Sequence, residues 1–408
     1  MEKALNYIDL FAGCGGLSTG LFNAGWHGLF AVEKNADAFS TLKFNLIDNA
    51  PHFHWPEWLS LEAHDINELI NKNKADLEGL RGSITLVAGG PPCQGFSMAG
   101  KRDANDQRNR LVDSYIQFIK LVSPQVIVFE NVHGFTVKFE RSANVKPYSD
   151  FVEQALIEEG YQVAYKIIDM SQYGIPQNRK RFILIAMKNH DPKHVFKVLE
   201  DNREAFCRAK GINCTTSIRE AIGDLEKSCG TVPSPDTRGF EAGLYGTIQS
   251  GYQKLMRLKT PDSTKAVDSH RFVNHQEDTI TLHNELLRSA PRGKRITPAD
   301  GIVKNLNRRG VTVLDSNSQS PTITSIPDEL VHYCEPRILT VREHARIQSF
   351  PDWYEFQGKY TSGGKRRKQE VPRYTQVGNA VPPLFAEQIG LAIKEVLKDN
   401  EQQQQSFV

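Results

Sequence analysis

The sequence lacks the features that mark several large classes of protein. Its six cysteines (14, 93, 207, 214, 229 and 334) show no Cys-x-x-Cys spacing, and no histidine pair stands at finger spacing. That argues against zinc and against a disulfide framework, and it predicts a reduced, intracellular setting; no metal is expected. No run approaches the roughly 18 apolar residues of a membrane span. The first residues, Met1-Glu2-Lys3-Ala4-Leu5-Asn6-Tyr7, lack the apolar core of a signal peptide. A soluble cytoplasmic protein is expected. Net charge is only +2, so attraction to a polyanion must come from local patches and not from the overall balance. What is present, 39% hydrophobic and 24% charged residues over 408 positions, suits one large globular domain and a smaller one.

Short apolar runs that break at glycine come first. Tyr7 to Phe11 reads as a strand that runs directly into Ala12-Gly13-Cys14-Gly15-Gly16, then a helix from about Leu17 to Ala24. Glycines at such a turn let a ligand approach the backbone and the helix N-terminus. Ser18 stands where the dinucleotide pattern G-x-G-x-x-G wants its third glycine, so a dehydrogenase is a poor match. The next strand, Gly28 to Val32, ends in Glu33, eighteen residues after Gly15, and an acid there is the usual partner of ribose hydroxyls. A nucleoside-bearing cofactor is expected, its kind left open. Asn35 to Asn45 reads as a helix and residues 49–60 as an irregular insertion without a functional account, with His52 and His54 at its surface. His64-Asp65-Ile66 reads as a strand end whose carboxylate can accept from an exocyclic amine such as that of adenine.

Ile84 to Ala88 reads as a buried strand broken by Gly89-Gly90 into the loop Pro91-Pro92-Cys93-Gln94-Gly95. Ligands collect beyond the carboxyl ends of strands in open α/β sheets, although a lone cysteine is more often a small buried hydrophobe. A polar stretch, 101–110, and a helix, 111–121, lead to the strand Val126–Val132, near whose end stand Glu130 and Asn131. A carboxylate so close to a buried strand needs a partner or a raised pKa. A helix at 150–160 and a strand at 163–169 follow. In extended backbone Gln177, Arg179 and Arg181 share one face, and guanidiniums beside a buried strand are costly unless they meet an anion or a polar ring.

From about Asn189 periodicity weakens, and basic residues gather at Arg288, Arg292, Lys294, Arg295, Lys304, Arg308 and Arg309. Such a lobe either grips phosphates and reads base edges or is a solvated basic face. Thr340 and Glu343 form a capping-box pair that opens a helix. The basic run Lys365-Arg366-Arg367-Lys368 either touches phosphate or sits in water. Gln376-Val377-Gly378-Asn379-Ala380-Val381-Pro382-Pro383 leads into the last helix, and the tail from Asn400 is expected to fray.

Taken in order, Asp9-Leu10-Phe11-Ala12-Gly13-Cys14-Gly15-Gly16, Pro92-Cys93-Gln94, Glu130-Asn131-Val132, Gln177-Asn178-Arg179-Lys180-Arg181, Arg337 to Pro351 and Gln376-Val377-Gly378-Asn379 resemble the blocks of the DNA (cytosine-5) methyltransferase family over nearly the whole chain. The resemblance implies an α/β, Rossmann-like, doubly wound and mostly parallel sheet that uses S-adenosylmethionine. The catalytic domain would be residues 1–187 completed by 336–408, and a loop-rich target-recognition domain would be 188–335. It implies Cys93 as nucleophile on carbon 6 of a flipped-out cytosine in double-stranded DNA. Glu130 would be held protonated near nitrogen 3, with Asn131 steadying that carboxyl. Arg179 would meet the base oxygen, with Arg181 in support. The cofactor would lie along Phe11, Gly13, Gly15 and Pro92, with Glu33 on the ribose, Asp65 and Ile66 at adenine, and Asn379 closing the site. The first block begins within ten residues of the N-terminus, so the chain resembles compact bacterial modification enzymes, with or without a restriction partner, acting as monomers at the nucleoid. The rival readings are a transfer-RNA cytosine-5 methyltransferase and a non-catalytic DNA-binding relative.

Overall fold

Alternating apolar strands and amphipathic helices build a sheet covered on both faces. The computed structural model describes residues 5–92, 110–136, 147–260, 266–303, 306, 310–361 and 370–405. Two compact units are present: residues 1–169, 180–203 and 385–408 form the first, and 170–179 and 204–384 the second. These boundaries differ from the expected catalytic and recognition domains, because 336–384 clusters with 204–335.

The first unit contains β1 (Asn6–Leu10), α1 (Gly16–Asn23), β2 (His27–Val32), α2 (Ala36–Lys43), α3 (Ile66–Lys72), α4 (Lys74–Gly79), β3 (Leu86–Gly89), α5 (Arg110–Val122), β4 (Val126–Val132), α6 (Tyr148–Glu158), β5 (Gln162–Asp169) and β6 (Lys180–Met187). The strand order is β2-β1-β3-β4-β6-β5. The pairs β1/β2, β1/β3 and β3/β4 are parallel, and β6 runs antiparallel to both β4 and β5. The fold class is the expected one. The order reverses between β1 and β3, so the loops leaving their carboxyl ends flank a topological switch point. Ile8, Leu10, Val87, Ile127, Phe129, Phe182 and Leu184 supply the inner sheet face, packed with Val112, Tyr115, Phe118 and Ile119 of α5. Helix α13 (Pro383–Gln405) closes back on α1: Trp26 donates to Gly390 O at 3.0 Å and Lys394 to Ala24 O at 2.9 Å. That helix continues to Gln405, past the Asn400 expected to begin a frayed tail.

The 49–60 insertion has a structural task. Phe53 bridges Gly28 in parallel, and His54 N–H donates to Gly28 O at 2.8 Å, which covers the outer edge of β2. Trp55 and Trp58 pack edge-on against Phe30. His52 is not a surface residue. It is 3% exposed and 2.6 Å from Tyr7 Oη, and burial drops its pKa to about 3.

In the second unit the weak periodicity after Asn189 conceals helix: α7 (Pro192–Lys210) runs into it, followed by α8 (Ile218–Ile222), α9 (Gly251–Met256), α10 (Glu277–Ser289), α11 (Val341–Ile347) and α12 (Arg373–Asn379). Helix α11 starts with the expected capping box. Thr340 Oγ1 accepts from Glu343 N–H, and the Glu343 carboxylate accepts from Thr340 N–H at 2.7 Å. Arg337 forks onto the same carboxylate at 2.7 and 2.8 Å and holds it well below the usual carboxylate range despite full burial. Of the basic cluster, Arg292 spends its donors on the Tyr333 and Leu287 carbonyls, and Arg295 lies 3.8 Å from Glu329. Lys304, Arg308, Arg309, the 365–368 run and most of the 101–110 stretch lie outside the described residues.

Candidate active site

The turn after β1 is built from left-handed backbone. Phe11 has φ 59°, Gly13 57° and Gly15 84°. A phenylalanine held at positive φ stores strain, which surrounding structure must over-determine. Ala12 N–H, next in the chain, donates to Val32 O at 3.0 Å, and two carboxylates fasten the flanks of the turn. Glu33, at the end of β2, accepts from Gly13 N–H at 2.9 Å and from Asn35 N–H at 2.7 Å, while burial raises its pKa. Asp9, one residue before the end of β1 and 1% exposed, accepts from the hydroxyl of Ser18 on α1 at 2.5 Å. Its burial, with Glu33's charge adding to it, pushes the Asp9 carboxyl up to about 7. Beside these groups the space over Gly13 is open: an added Cβ would meet nothing within 4 Å. Asp9 and Ser18 received no individual role from sequence, yet an acid inside an apolar strand is the signal that marks a partnered buried group.

Asp65 is not a strand end. It caps α3, its Oδ1 accepting from Asn67 N–H at 2.8 Å, and its Oδ2 pairs with Lys34 at 2.9 Å. Lys34 is 79% exposed, so that pair is weak and exchangeable. Ile66, at 2% exposure, sits in the core at the start of α3.

At the carboxyl end of β3, glycine is demanded by contact. A Cβ on Gly89 would stand 2.3 Å from Leu10 O, and one on Gly90 would stand 2.8 Å from Glu130 Oε2. The loop is tied to β4 by a hydrogen bond: Asn131 Nδ2 donates to Pro91 O at 3.2 Å, while Asn131 Oδ1 accepts from Val132 N–H at 2.8 Å. Pro91 is buried and Pro92 exposed. Glu130 itself faces β6, where Arg181 Nε lies 3.0 Å from its Oε1, the two side chains being 14% and 13% exposed. Desolvation lowers the Arg181 pKa, and the carboxylate opposes that shift. Phe11, Gly13, Gly15, Glu33, Asp65, Ile66, Pro92, Glu130, Asn131 and Arg181 thus all belong to the first unit, and Arg179 and Asn379 to the second. Cys93 lies outside the described residues.

Arg179, 2% exposed, directs Nη1 at Gln177 Oε1 and Ile323 O and Nη2 at Gly378 O and Ala380 O, over 3.1–3.4 Å. Asn379 closes α12 and is exposed. Sequence reading missed the partner of this arrangement, Gln348, because its amide acquires meaning only from carbonyls remote in the chain.

Residues 5–395 match the family described as C-5 cytosine-specific DNA methylase. The chain belongs to that family. It is 31% identical to the type II methyltransferase M.DdeI of Desulfomicrobium norvegicum, over 94% of this chain and 87% of the relative. It is 30% identical to M.XorII of Xanthomonas oryzae pv. oryzae, over 96% and 85%. Among solved structures it shares its fold with a DNA modification methyltransferase encoded within an E. coli prophage, at TM-score 0.64 and 22% identity, covering 97% of this chain and 99% of that one. As a C-5 cytosine DNA methylase the chain is an enzyme of methyl transfer to DNA, which removes the non-catalytic reading. No helix among the described residues is long and apolar enough to cross a membrane, and none of their His, Cys, Asp and Glu side chains group as a metal site.

Proposed function

We propose that this DNA methylase transfers the methyl group of S-adenosylmethionine to carbon 5 of one cytosine in a specific duplex sequence, with Cys93 as nucleophile. It would act as a cytoplasmic, monomeric type II or orphan modification enzyme. Carbon 5 of cytosine is a weak nucleophile. Addition of the Cys93 thiolate to carbon 6 turns the ring into an enamine that is electron-rich at carbon 5. Glu130 holds a proton at nitrogen 3 as the sulfur–carbon bond forms, and Arg181 takes up the charge left on its carboxylate. Asn131 keeps the loop before Cys93 in register with that carboxyl. Once carbon 5 carries the methyl group, a base or water removes its proton, the electron pair expels the Cys93 sulfur, and the proton at nitrogen 3 returns to Glu130, which restores the ring. Attack comes from above the ring plane, so the base must leave the stack.

The donor supplies an electrophilic methyl on a sulfonium when bound. The residues present fit it: open space over Gly13, a backbone turn at positive φ, and the Glu33 carboxylate one strand away. Glu33 would take the ribose hydroxyls, Asp65 and the start of α3 the adenine, and Asn379 the closing contact. Arg179 would meet the base oxygen, and its Nη1 and Nη2, directed at four acceptors, would also hold that closing segment. Residues 188–335 would grip the duplex and read base edges in the major groove, serving a catalytic part made of 1–187 and 336–408.

The observation that carries this reading is how closely the Gly90-Pro91 loop, just before the cysteine, lies on Glu130 and Asn131: Asn131 Nδ2 donates to Pro91 O at 3.2 Å, and a Cβ on Gly90 would stand 2.8 Å from Glu130 Oε2. Cys14 is no competitor, because full burial pushes its thiol well up. Duplex DNA containing 5-fluorocytosine at the target should be captured covalently at Cys93 in the presence of donor, and Cys93→Ala should bind DNA without methylating it. Full turnover by Cys93→Ala would overturn the proposal.

A further inference from the structure

The segment that carries Asn379 is held by a buried polar network, and its hub is Gln348. This side chain is wholly buried at the C-cap of α11. Its Nε2 donates to Val377 O at 2.8 Å and to Ala380 O at 3.0 Å, and its Oε1 accepts from Gln177 Nε2 at 2.6 Å. Both amide ends are therefore specified, and the side chain cannot be flipped without leaving carbonyls against an oxygen. Gln177 is itself anchored, its Oε1 accepting from Ile323 N–H at 2.9 Å. Arg179 reaches Gly378 O and Ala380 O from the same network. The next residue of α11's cap, Ser349, takes a left-handed φ of 63° and accepts Leu384 N–H at 3.1 Å. A Cβ on Gly378 would stand 2.4 Å from Thr324 O, so the segment has no room to slide on that side.

Carbonyls 377, 378 and 380 and the N–H of 384 are thus gripped, and the exposed residue among them is Asn379. Helix α11 is a rigid base for the grip. Arg346, one turn before Gln348's neighbour in the chain, forks onto buried Asp224 and Asp352 at 2.6–3.2 Å, and sites supported on locked elements hold their geometry best.

We propose that Gln348 is a positioning residue for methyl transfer, setting the backbone on either side of Asn379 so that this asparagine is presented to the methyl donor. The inference rests on the reading that Asn379 contacts the donor, and the test separates the two. Asn379→Ala, Gln348→Met and the double variant are compared in the full chain for Kd of S-adenosylmethionine by calorimetry, which the donor KM should follow, and for KM of DNA, kcat and thermal midpoint. Asn379→Ala should raise the donor KM by about tenfold. Gln348→Met should do likewise with the DNA KM unmoved, and the double variant should show no further rise, since two changes acting through one contact are not additive. A donor KM raised by Asn379→Ala but not by Gln348→Met, or effects that multiply in the double variant, overturn the inference alone. An unchanged donor KM in Asn379→Ala overturns the reading beneath it and the inference together. Should Gln348→Met fail to fold, Ser349→Ala carries the same test: a smaller rise in donor KM that vanishes in the Asn379→Ala background supports the grip, and no rise overturns it.

Discussion

Arg181 Nε lies 3.0 Å from Glu130 Oε1 across the antiparallel pair β4/β6, with both side chains nearly buried. Register brings them together: Asn131 faces Phe182 and Val132 faces Arg181, so Glu130 and Arg181 are diagonal neighbours. Two groups so placed are bound to act as a unit. Glu130→Gln should cut kcat by about 10²-fold or more, the range in which positioned proton donors contribute, with little change in donor affinity. Arg181→Leu should cost about 1–3 kcal/mol of stability, because the nearly buried Glu130 carboxyl loses its hydrogen-bond partner. Single-turnover methylation and urea titration separate these, and equal stability losses with normal turnover would make the pair purely structural.

Gly90 should tolerate no side chain. Gly90→Ala forces a methyl to 2.8 Å from Glu130 Oε2 and 3.0 Å from its backbone oxygen, an overpacking that typically costs about 1–3 kcal/mol. The methylation rate should fall further than that loss of stability explains, since the displaced group is the carboxyl itself. A variant with wild-type turnover would show that Glu130 moves aside without consequence.

Asp9 predicts a particular pH dependence. Its folded pKa, about 7, stands above the roughly 3.9 of an unfolded aspartate, so the folded state holds the proton more tightly. The stability this contributes is complete below pH about 4 and is lost as pH rises through about 7. Asp9→Asn keeps an acceptor for Ser18 without the charge. Its advantage over the parent should therefore grow from pH 4 to 7 and level off above, reaching a few kcal/mol at most by the relation of about 1.4 kcal/mol per pKa unit. Urea midpoints at pH 4 and pH 8 decide it; the same difference at both would mean that Asp9 does not titrate in this window.

Arg346→Met should strongly destabilise the second unit. It removes the guanidinium that bonds buried Asp224 and Asp352 at 2.6–3.2 Å and leaves Asp224 with Arg257 at 3.5 Å and Asp352 with Tyr245 Oη at 2.8 Å and Arg342 at 3.9 Å; breaking a buried pair costs about 3–5 kcal/mol. Simultaneous Asp224→Asn and Asp352→Asn should recover part of that loss in thermal melts, whereas no recovery would point to lost packing and not stranded charge.

Sequence patterning was a good guide wherever one local rule sufficed. The strand at Val126–Val132 appears with those same limits, and Thr340 with Glu343 caps α11 as the spacing implies. The order of the motif blocks likewise pointed to the cytosine DNA methylase family. Local rules failed where a distant partner decided the outcome. Asp65 read as a strand end because three residues cannot distinguish a strand terminus from a helix cap, and His52 read as a surface residue because its cover, Tyr7 and Phe53, is contributed in part by another strand.

By itself, then, the amino-acid order determined which short segments become strands and helices, where the turns need glycine, and which family chemistry the blocks belong to. These follow from interactions within a few residues, whose geometry the backbone sets. Tertiary structure alone decided that Glu130's partner is Arg181, and that Arg179 and Gln348, the latter 171 positions from its amide partner Gln177, grip the turn around Asn379. Hydrogen bonds and charges out of water act only at contact distance, and contact between remote residues exists only once the chain has folded.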